Sequence, residues 1–276
     1  MSDIPQTSLD KLIDRYDIFF VDQFGVLRDD EGAYPGAVEA LQRLKAAGKT
    51  VVILSNSGRS GDYNADRFAG LGFRRDSFDR FVTSGDTAYA VLSREMALPA
   101  GSQCLTISSG GDRNLAERLG LASTDDAAEA DLVIISGSEA ETIPMEVYAD
   151  RLRPGAERKI PAICTNPDIH KLAGGTVAPG AGSIAQLYEQ LGGSVRWFGK
   201  PYGDIYTLAL RLTGEPAANT VVCIGDSIDH DIFGARQAGL ASVLVETGIL
   251  ANLSPSERAS LMTADRRPTY LMPGFR

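Results

Sequence analysis

The sequence predicts an α/β protein: a three-layer α/β/α core on a parallel sheet, interrupted by an inserted α/β block. Three observations carry this. Short, continuous apolar runs such as Ile18-Phe19-Phe20 and Val51-Val52-Ile53-Leu54 read as strands buried on both faces. Stretches with apolar residues at three- and four-residue spacing separate them and read as helices. The first strand, helix and second strand follow in the order of a right-handed βαβ unit. With 276 residues, the chain is long enough for one large domain or two modest ones.

Residues 1–16 read as a helix with Leu9, Leu12 and Ile13 on one face. The first strand ends at Asp22, and Gly25 lets the backbone turn tightly away. Pro35 opens a helical stretch through Val38, Leu41 and Leu44, which Gly48 closes. The second strand, 50–54, ends at Ser55-Asn56-Ser57-Gly58. Further strands are expected at 80–83, 103–107, 131–135 and 161–165, with helices at 88–96 and 113–119. A helix at 183–191 and a strand at 220–224, closed by Gly225-Asp226, follow. The run 241–245 is expected to be the last strand, with a more polar, loosely packed tail after Ser254. The glycine-rich stretches Thr83-Ser84-Gly85 and Gly174-Gly175 bound a Gly-, Ser- and Ala-rich middle. They place the core at 1–81 and 179–276 and the inserted block at 82–178.

The bulk numbers narrow the function. Hydrophobic residues make up 43% and charged residues 23%, ordinary for a soluble globular chain. The net charge of -9 argues against a protein that tracks nucleic-acid phosphates. It leaves room for a small phosphorylated ligand, because a metal or a local lysine reverses the sign inside one pocket. No apolar run is long enough to span a bilayer, and no secretory signal is visible at the start. Cys104, Cys164 and Cys223 lie in apolar runs without a CxxC spacing and read as buried thiols of a cytoplasmic protein. With only His170 and His230, a multi-histidine zinc site is not expected.

Three strands end in polar groups: Asp22, Ser55-Asn56 and Asp226. In a parallel sheet these ends share one edge, where ligands bind. Gly199-Lys200-Pro201 can bring one ammonium to that edge. Asp22 and Asp226 offer hard oxygen ligands suited to Mg²⁺, and Asp231 is placed to support them. Ser55 and nearby backbone N–H groups suit a phosphate, and Lys200 offsets its charge. With metal and phosphate bound, Asp22 is a nucleophile for phosphorus. Taken singly, each feature has a plain structural role: a strand-end Asp caps a helix, and Ser-Asn forms a turn. Four in this order, each beside an apolar run, point to a shared site.

These residues resemble the motifs of the haloacid dehalogenase superfamily. Asp22 with Gly25-Val26-Leu27 is similar to the first motif, Ser55-Asn56 to the second, Lys200 to the third, and Gly225-Asp226-Ser227-Ile228-Asp229-His230-Asp231 to the acidic fourth. The long insertion between the second and third motifs resembles the large α/β cap of subclass IIA. That group includes nitrophenyl, pyridoxal phosphate, phosphoglycolate and nucleotide phosphatases. Thr165-Asn166-Pro167-Asp168 followed by Pro179-Gly180-Ala181-Gly182-Ser183 is also similar to it. The resemblance implies a Rossmann-like core and a Mg²⁺-dependent phosphatase acting on a small phosphorylated metabolite through an aspartyl phosphate. Asp22, Ser55 and Lys200 are its implied catalytic groups. Ser55, Asn56, Ser57, Asn166, Asp168 and Lys200 are its implied substrate contacts. Asp22, the Phe24 carbonyl, Asp226 and Asp231 are its implied metal site. A homodimer through the cap is an assembly common in that group.

One departure matters. Phosphatases of this family carry a second Asp two residues after the nucleophile, which protonates the leaving oxygen and then activates water. Here that residue is Phe24, which moves no proton. Asp29, Asp30 and His170 are candidate replacements that the sequence does not place. Two other functions stay open: a phosphate-ligand binder that has lost turnover, and a carbon–halogen hydrolase. An aromatic residue also occupies this position in the dehalogenases, but the retained Asp226 and Asp231 oppose that reading.

Overall fold

The computed structural model describes residues 4–95, 98–99, 101–173, 176–251 and 253–276. Met1-Ser2-Asp3, Met96 and Gly174-Gly175 mark expected ends of two helices and of the inserted block, and lie outside the described residues. Among the described residues the chain forms two compact units. The first falls within Met1–Ser55, Gly61–Val82 and Lys200–Arg276, and the second within Asn56–Ser60 and Thr83–Gly199.

The first unit is built on a six-stranded sheet. Its order is Tyr270–Met272, Ala241–Val245, Val221–Gly225, Ile18–Val21, Thr50–Ser55 and Arg80–Thr83. Ile18–Val21 is central, and it runs parallel to Val221–Gly225 on one side and Thr50–Ser55 on the other. All four of its side chains are buried, which is why its sequence is a continuous apolar run. Strand alternation divides them between the two faces. Phe19 and Val21 pack with Leu9, Leu12, Leu41, Leu44 and Phe68 from the helices Leu9–Arg15, Ala37–Ala46 and Gly61–Ala69. Ile18 and Phe20 pack with Ile205, Tyr206 and Ala209 from the helix Gly203–Leu212. These are the three layers expected. The first helix is shorter than the sequence suggests, because Ser8 caps it and accepts from the Lys11 N–H.

The tail corrects the expectation of loose packing after Ser254. Tyr270–Met272 adds a parallel strand beyond Ala241–Val245, with Val243 paired to Tyr270 and Val245 to Met272. Pro5 and Thr7 hold its outer edge: Leu271 N–H donates to the Pro5 carbonyl at 3.0 Å, and Thr7 N–H to the Leu271 carbonyl at 2.9 Å. Met272 and Phe275 are buried in the core. A three-residue strand followed by Pro273 is too short to show a period.

The second unit has its own parallel sheet, ordered Ser194–Trp197, Pro161–Cys164, Leu132–Ile135, Gln103–Ile107 and Ala122–Thr124. Its faces are covered by Met145–Glu157 and Ala181–Gln190 on one side, and by Ser84–Glu95 and Asn114–Arg118 on the other. An antiparallel pair, His170–Ala173 with Thr176–Pro179, is separate. The sequence reading closes the inserted block at 178, but the second unit continues to Gly199. Ser194–Trp197 pairs with Pro161–Cys164, and Ala181–Gln190 packs on Met145–Glu157, so both belong with the second sheet. Cys104, Cys164 and Cys223 are free and buried. Among the described residues, no helix is long and apolar enough to cross a membrane.

Because Met272 is buried in the core, Met272→Ala is expected to cost about 2–5 kcal/mol of unfolding free energy in urea. A loss under about 0.5 kcal/mol, as for a surface position, would mean that the tail does not contribute to the core.

Candidate active site

The register of the central strand assembles the site. Val21 pairs with Ile53 on one side and Ile224 on the other. The next polar residues along these three strands, Asp22, Ser55 and Asp226, therefore emerge at one edge. The chain goes from Ile18–Val21 to Thr50–Ser55 on one side and returns later to Val221–Gly225 on the other. Ligands of open α/β sheets bind at such a reversal of strand order. Asp22 N–H donates to the Ile224 carbonyl at 2.9 Å, which fixes the backbone where the strand ends.

Lys200 opens the segment that leads into Gly203–Leu212, and its side chain is only 4% exposed. Its Nζ lies 2.5 Å from Asp22 Oδ1 and 2.7 Å from Asp231 Oδ1. The other Asp231 oxygen accepts from Ser227 N–H at 3.0 Å, so both oxygens hold the acidic turn and the ammonium in place. Asp226 Oδ2 accepts from Ile249 N–H at 2.8 Å. Asp22, Asp226 and Asp231 each offer an oxygen, all within 4.8 Å of one another.

Two glycines wrap the Asp226 carboxylate. Gly25 has φ +84°, and a Cβ there would lie 2.1 Å from Asp226 Oδ2. At Gly248, with φ +65°, the corresponding distance is 2.0 Å. Neither position accepts a side chain without moving the carboxylate. Thr247 Oγ1 donates to the Gly25 carbonyl at 2.6 Å and joins the two loops.

Three carboxylates thus face one ammonium. Burial pushes the Asp22 carboxyl up to about 7; Lys200 opposes this and Asp231 adds to it. Burial, then Asp22 and Asp231, drives Asp226 well above the ordinary carboxylate range. Burial alone would lower Lys200, but Asp22 and Asp231 outweigh it and hold the ammonium above its usual value. The donor set is all hard oxygen and, with all three carboxylates ionised, would carry two negative charges once Lys200 is counted. That chemistry fits a divalent hard cation held by Asp22 and Asp226, with Asp231 orienting Lys200 beside them.

Two residues of this edge escaped the sequence reading. Gln23 is buried, and its Oε1 accepts from Ser55 Oγ at 3.3 Å, tying the expected phosphate-binding hydroxyl to the nucleophile turn. Its signal was a polar residue inside an otherwise apolar stretch. Arg28 is the other: its guanidinium carbon lies 5.1 Å from the centroid of the Phe24 ring. The three candidate proton donors lie in different settings. Asp29 Oδ1 accepts from the N–H groups of Glu31 and Gly32 at 2.8 and 3.2 Å. Asp30 is exposed. His170 belongs to the second unit.

Asn56, Ser57, Asn166 and Asp168 also fall in the second unit. There Asn56 Nδ2 donates to Asp168 Oδ1 at 2.8 Å, and Asp168 N–H to Asn166 Oδ1 at 3.2 Å. Ser57 Oγ accepts from Arg59 N–H at 3.3 Å. The two halves of the 165–183 pattern meet: Gly182 N–H donates to the Asp168 carbonyl, and Ser183 Oγ to the Ile169 carbonyl at 2.6 Å.

Comparison with known proteins shows what the chain as a whole is similar to. The family model of the haloacid dehalogenase-like hydrolases matches residues 19–122, and one described as HAD-hydrolase-like matches 197–276. The chain is 29% identical over 252 residues to the ribonucleotide monophosphatase NagD of Escherichia coli K12, covering 90% of this chain and 92% of that protein. A haloacid dehalogenase-like hydrolase from Brucella suis superposes with a TM-score of 0.84 at 29% identity, over 98% of this chain and 99% of that one. The glycerol phosphate phosphatase of Mycobacterium tuberculosis in complex with magnesium superposes with a TM-score of 0.76 at 25% identity, over 96% of this chain and 77% of that one.

Folded Asp22 holds its proton to about pH 7, well above an unfolded carboxyl, so the metal-free fold binds more protons than the unfolded chain. Its stability is expected to fall as pH rises from about 4 to 7. Mg²⁺ is expected to restore it, raising the melting temperature more at pH 8 than at pH 5. Asp226→Asn is expected to raise the metal-free melting temperature at pH 8 by roughly 2 °C or more and to remove the Mg²⁺ response. An unchanged Mg²⁺ response in that variant would contradict the site.

Proposed function

Because this chain belongs to the haloacid dehalogenase-like hydrolases, we propose that its acidic edge hydrolyses small phosphorylated metabolites through an aspartyl phosphate on Asp22. The protein is a hydrolase of phosphoric monoesters. The observation that carries the reading is the Lys200 ammonium, 2.5 Å from Asp22 and 2.7 Å from Asp231, beside the buried Asp226. A lysine so placed neutralises part of the charge that an incoming phosphoryl group and the carboxylates would otherwise set against each other.

The roles follow from position. Asp22 presents a carboxylate oxygen to phosphorus, and Lys200 fixes its direction. Ser55, whose hydroxyl donates to Gln23 Oε1 in the ligand-free site, turns that O–H to a phosphoryl oxygen when substrate binds. Asp22, Asp226 and the Phe24 carbonyl would hold Mg²⁺, with Asp231 supporting the site through Lys200 and the Ser227 N–H, and the ion would supply charge neutralisation on the phosphoryl oxygens. Asn56, Ser57, Asn166 and Asp168 are kept as substrate contacts on the strength of the family resemblance. The magnesium complex of the mycobacterial phosphatase supports the choice of ion.

Phe24 favours a second reading, a binder with slow turnover, because acid–base help of roughly 10²–10⁴-fold is missing. Phosphate release from a broad panel of phosphorylated metabolites separates the two. Mg²⁺-dependent release that Asp22→Asn lowers by roughly 10³-fold or more is the expected result. Tight retention of a phosphorylated compound without release would favour the binder.

A further inference from the structure

Phe24 moves no proton, and among the described residues of the first unit the neighbouring Asp29 and Lys200 are engaged elsewhere. Asp29 is committed to its own turn. Lys200 is pinned between two carboxylates that hold its proton. Arg28, in contrast, is fixed to the nucleophile turn. Backbone bridges join it to Phe24 and Ala33, its N–H donates to the Gln23 carbonyl at 3.2 Å, and its carbonyl accepts from Gly25 N–H at 2.8 Å. Its guanidinium lies against the Phe24 ring, and Nη1 donates to the Asp29 carbonyl at 2.8 Å. Its Nε is buried without a hydrogen-bond partner among the described residues. A buried donor left unsatisfied is costly, and its presence beside a reactive turn points to a ligand. Arg67, on the helix Gly61–Ala69, is near enough for the two cations to repel, with Asp22, Asp29 and Asp30 opposing them. Arginine keeps its proton in proteins, so it stabilises an anion and does not act as an acid.

We propose that the substrate is a phosphoryl compound whose leaving group departs unprotonated, an enol, aryl or acyl phosphate in preference to an alkyl phosphate, and that Arg28 holds the departing oxyanion. This rests on the phosphatase reading above. In the first step an Asp22 oxygen bonds to phosphorus and the bond to the leaving oxygen breaks. The electron pair leaves with that oxygen, its charge meets the guanidinium, and no proton moves. In the second step water attacks phosphorus and the bond to Asp22 breaks, restoring the carboxylate. Both of the water's protons remain on the released phosphate. The sum is RO-PO₃²⁻ + H₂O → RO⁻ + H₂PO₄⁻. A strongly basic alkoxide cannot leave this way, so specificity is set by the acidity of the leaving group.

The test is kcat/KM with Mg²⁺ for ring-substituted phenyl phosphates of graded leaving-group acidity, acetyl phosphate and glycerol phosphate. The wild-type rate is expected to fall steeply as the leaving group becomes more basic. Phe24→Asp is expected to raise glycerol phosphate turnover by roughly 10²–10⁴-fold and flatten the dependence. Arg28→Ala is expected to lower turnover of the acidic leaving groups by roughly 10-fold or more, with Arg28→Lys recovering part and inhibition by inorganic phosphate unchanged. Equal wild-type rates on glycerol and nitrophenyl phosphates would overturn the proposal and leave the phosphatase reading standing. So would an Arg28→Ala protein with unaltered kinetics, or one whose lost activity is matched by lost phosphate binding. No Asp22-dependent release from any of these compounds would overturn both.

Discussion

An excess of buried negative charge governs this protein. Asp22, Asp226 and Asp231 meet at one sheet edge, and Lys200 cancels only one of the three. Burying uncompensated carboxylates is unfavourable, so the fold holds them together by other means. The central strand fixes Asp22, the Ile249 N–H takes one oxygen of Asp226, and the Ser227 N–H takes one of Asp231. Gly25 and Gly248 close over Asp226 where no side chain fits. Local instability is kept where a cation can relieve it, as is common at functional sites.

That constraint explains why much of the site was legible in the sequence. Asp22 and Asp226 each follow a short continuous apolar run, the pattern of a strand buried on both faces. Lys200 was legible only through its order beside the other three segments and through the family resemblance, since Gly-Lys-Pro alone has no structural signature. What stayed hidden depends on contacts distant in sequence. The strand Tyr270–Met272 is recognisable only beside Ala241–Val245, and Ser194–Trp197 only beside Pro161–Cys164. Gln23 and Gly248 carry no period and no motif, and their roles follow from meeting Ser55 and Asp226 across long stretches of chain.

In the turn after Asp22 an aromatic ring stands where the family resemblance implies a proton donor, and a guanidinium packs on that ring. The acid cluster and Lys200 stand beside this turn, so under the proposed reading Phe24 bears on the departure of the leaving group and not on phosphate capture.

The most direct measurement is a crystal structure grown with saturating Mg²⁺. One ion should lie about 2.1 Å from a carboxylate oxygen of each of Asp22 and Asp226, with the Lys200 amine still beside Asp22. An ion bound elsewhere, or an acidic edge without an ion at saturating Mg²⁺, would contradict the central claim.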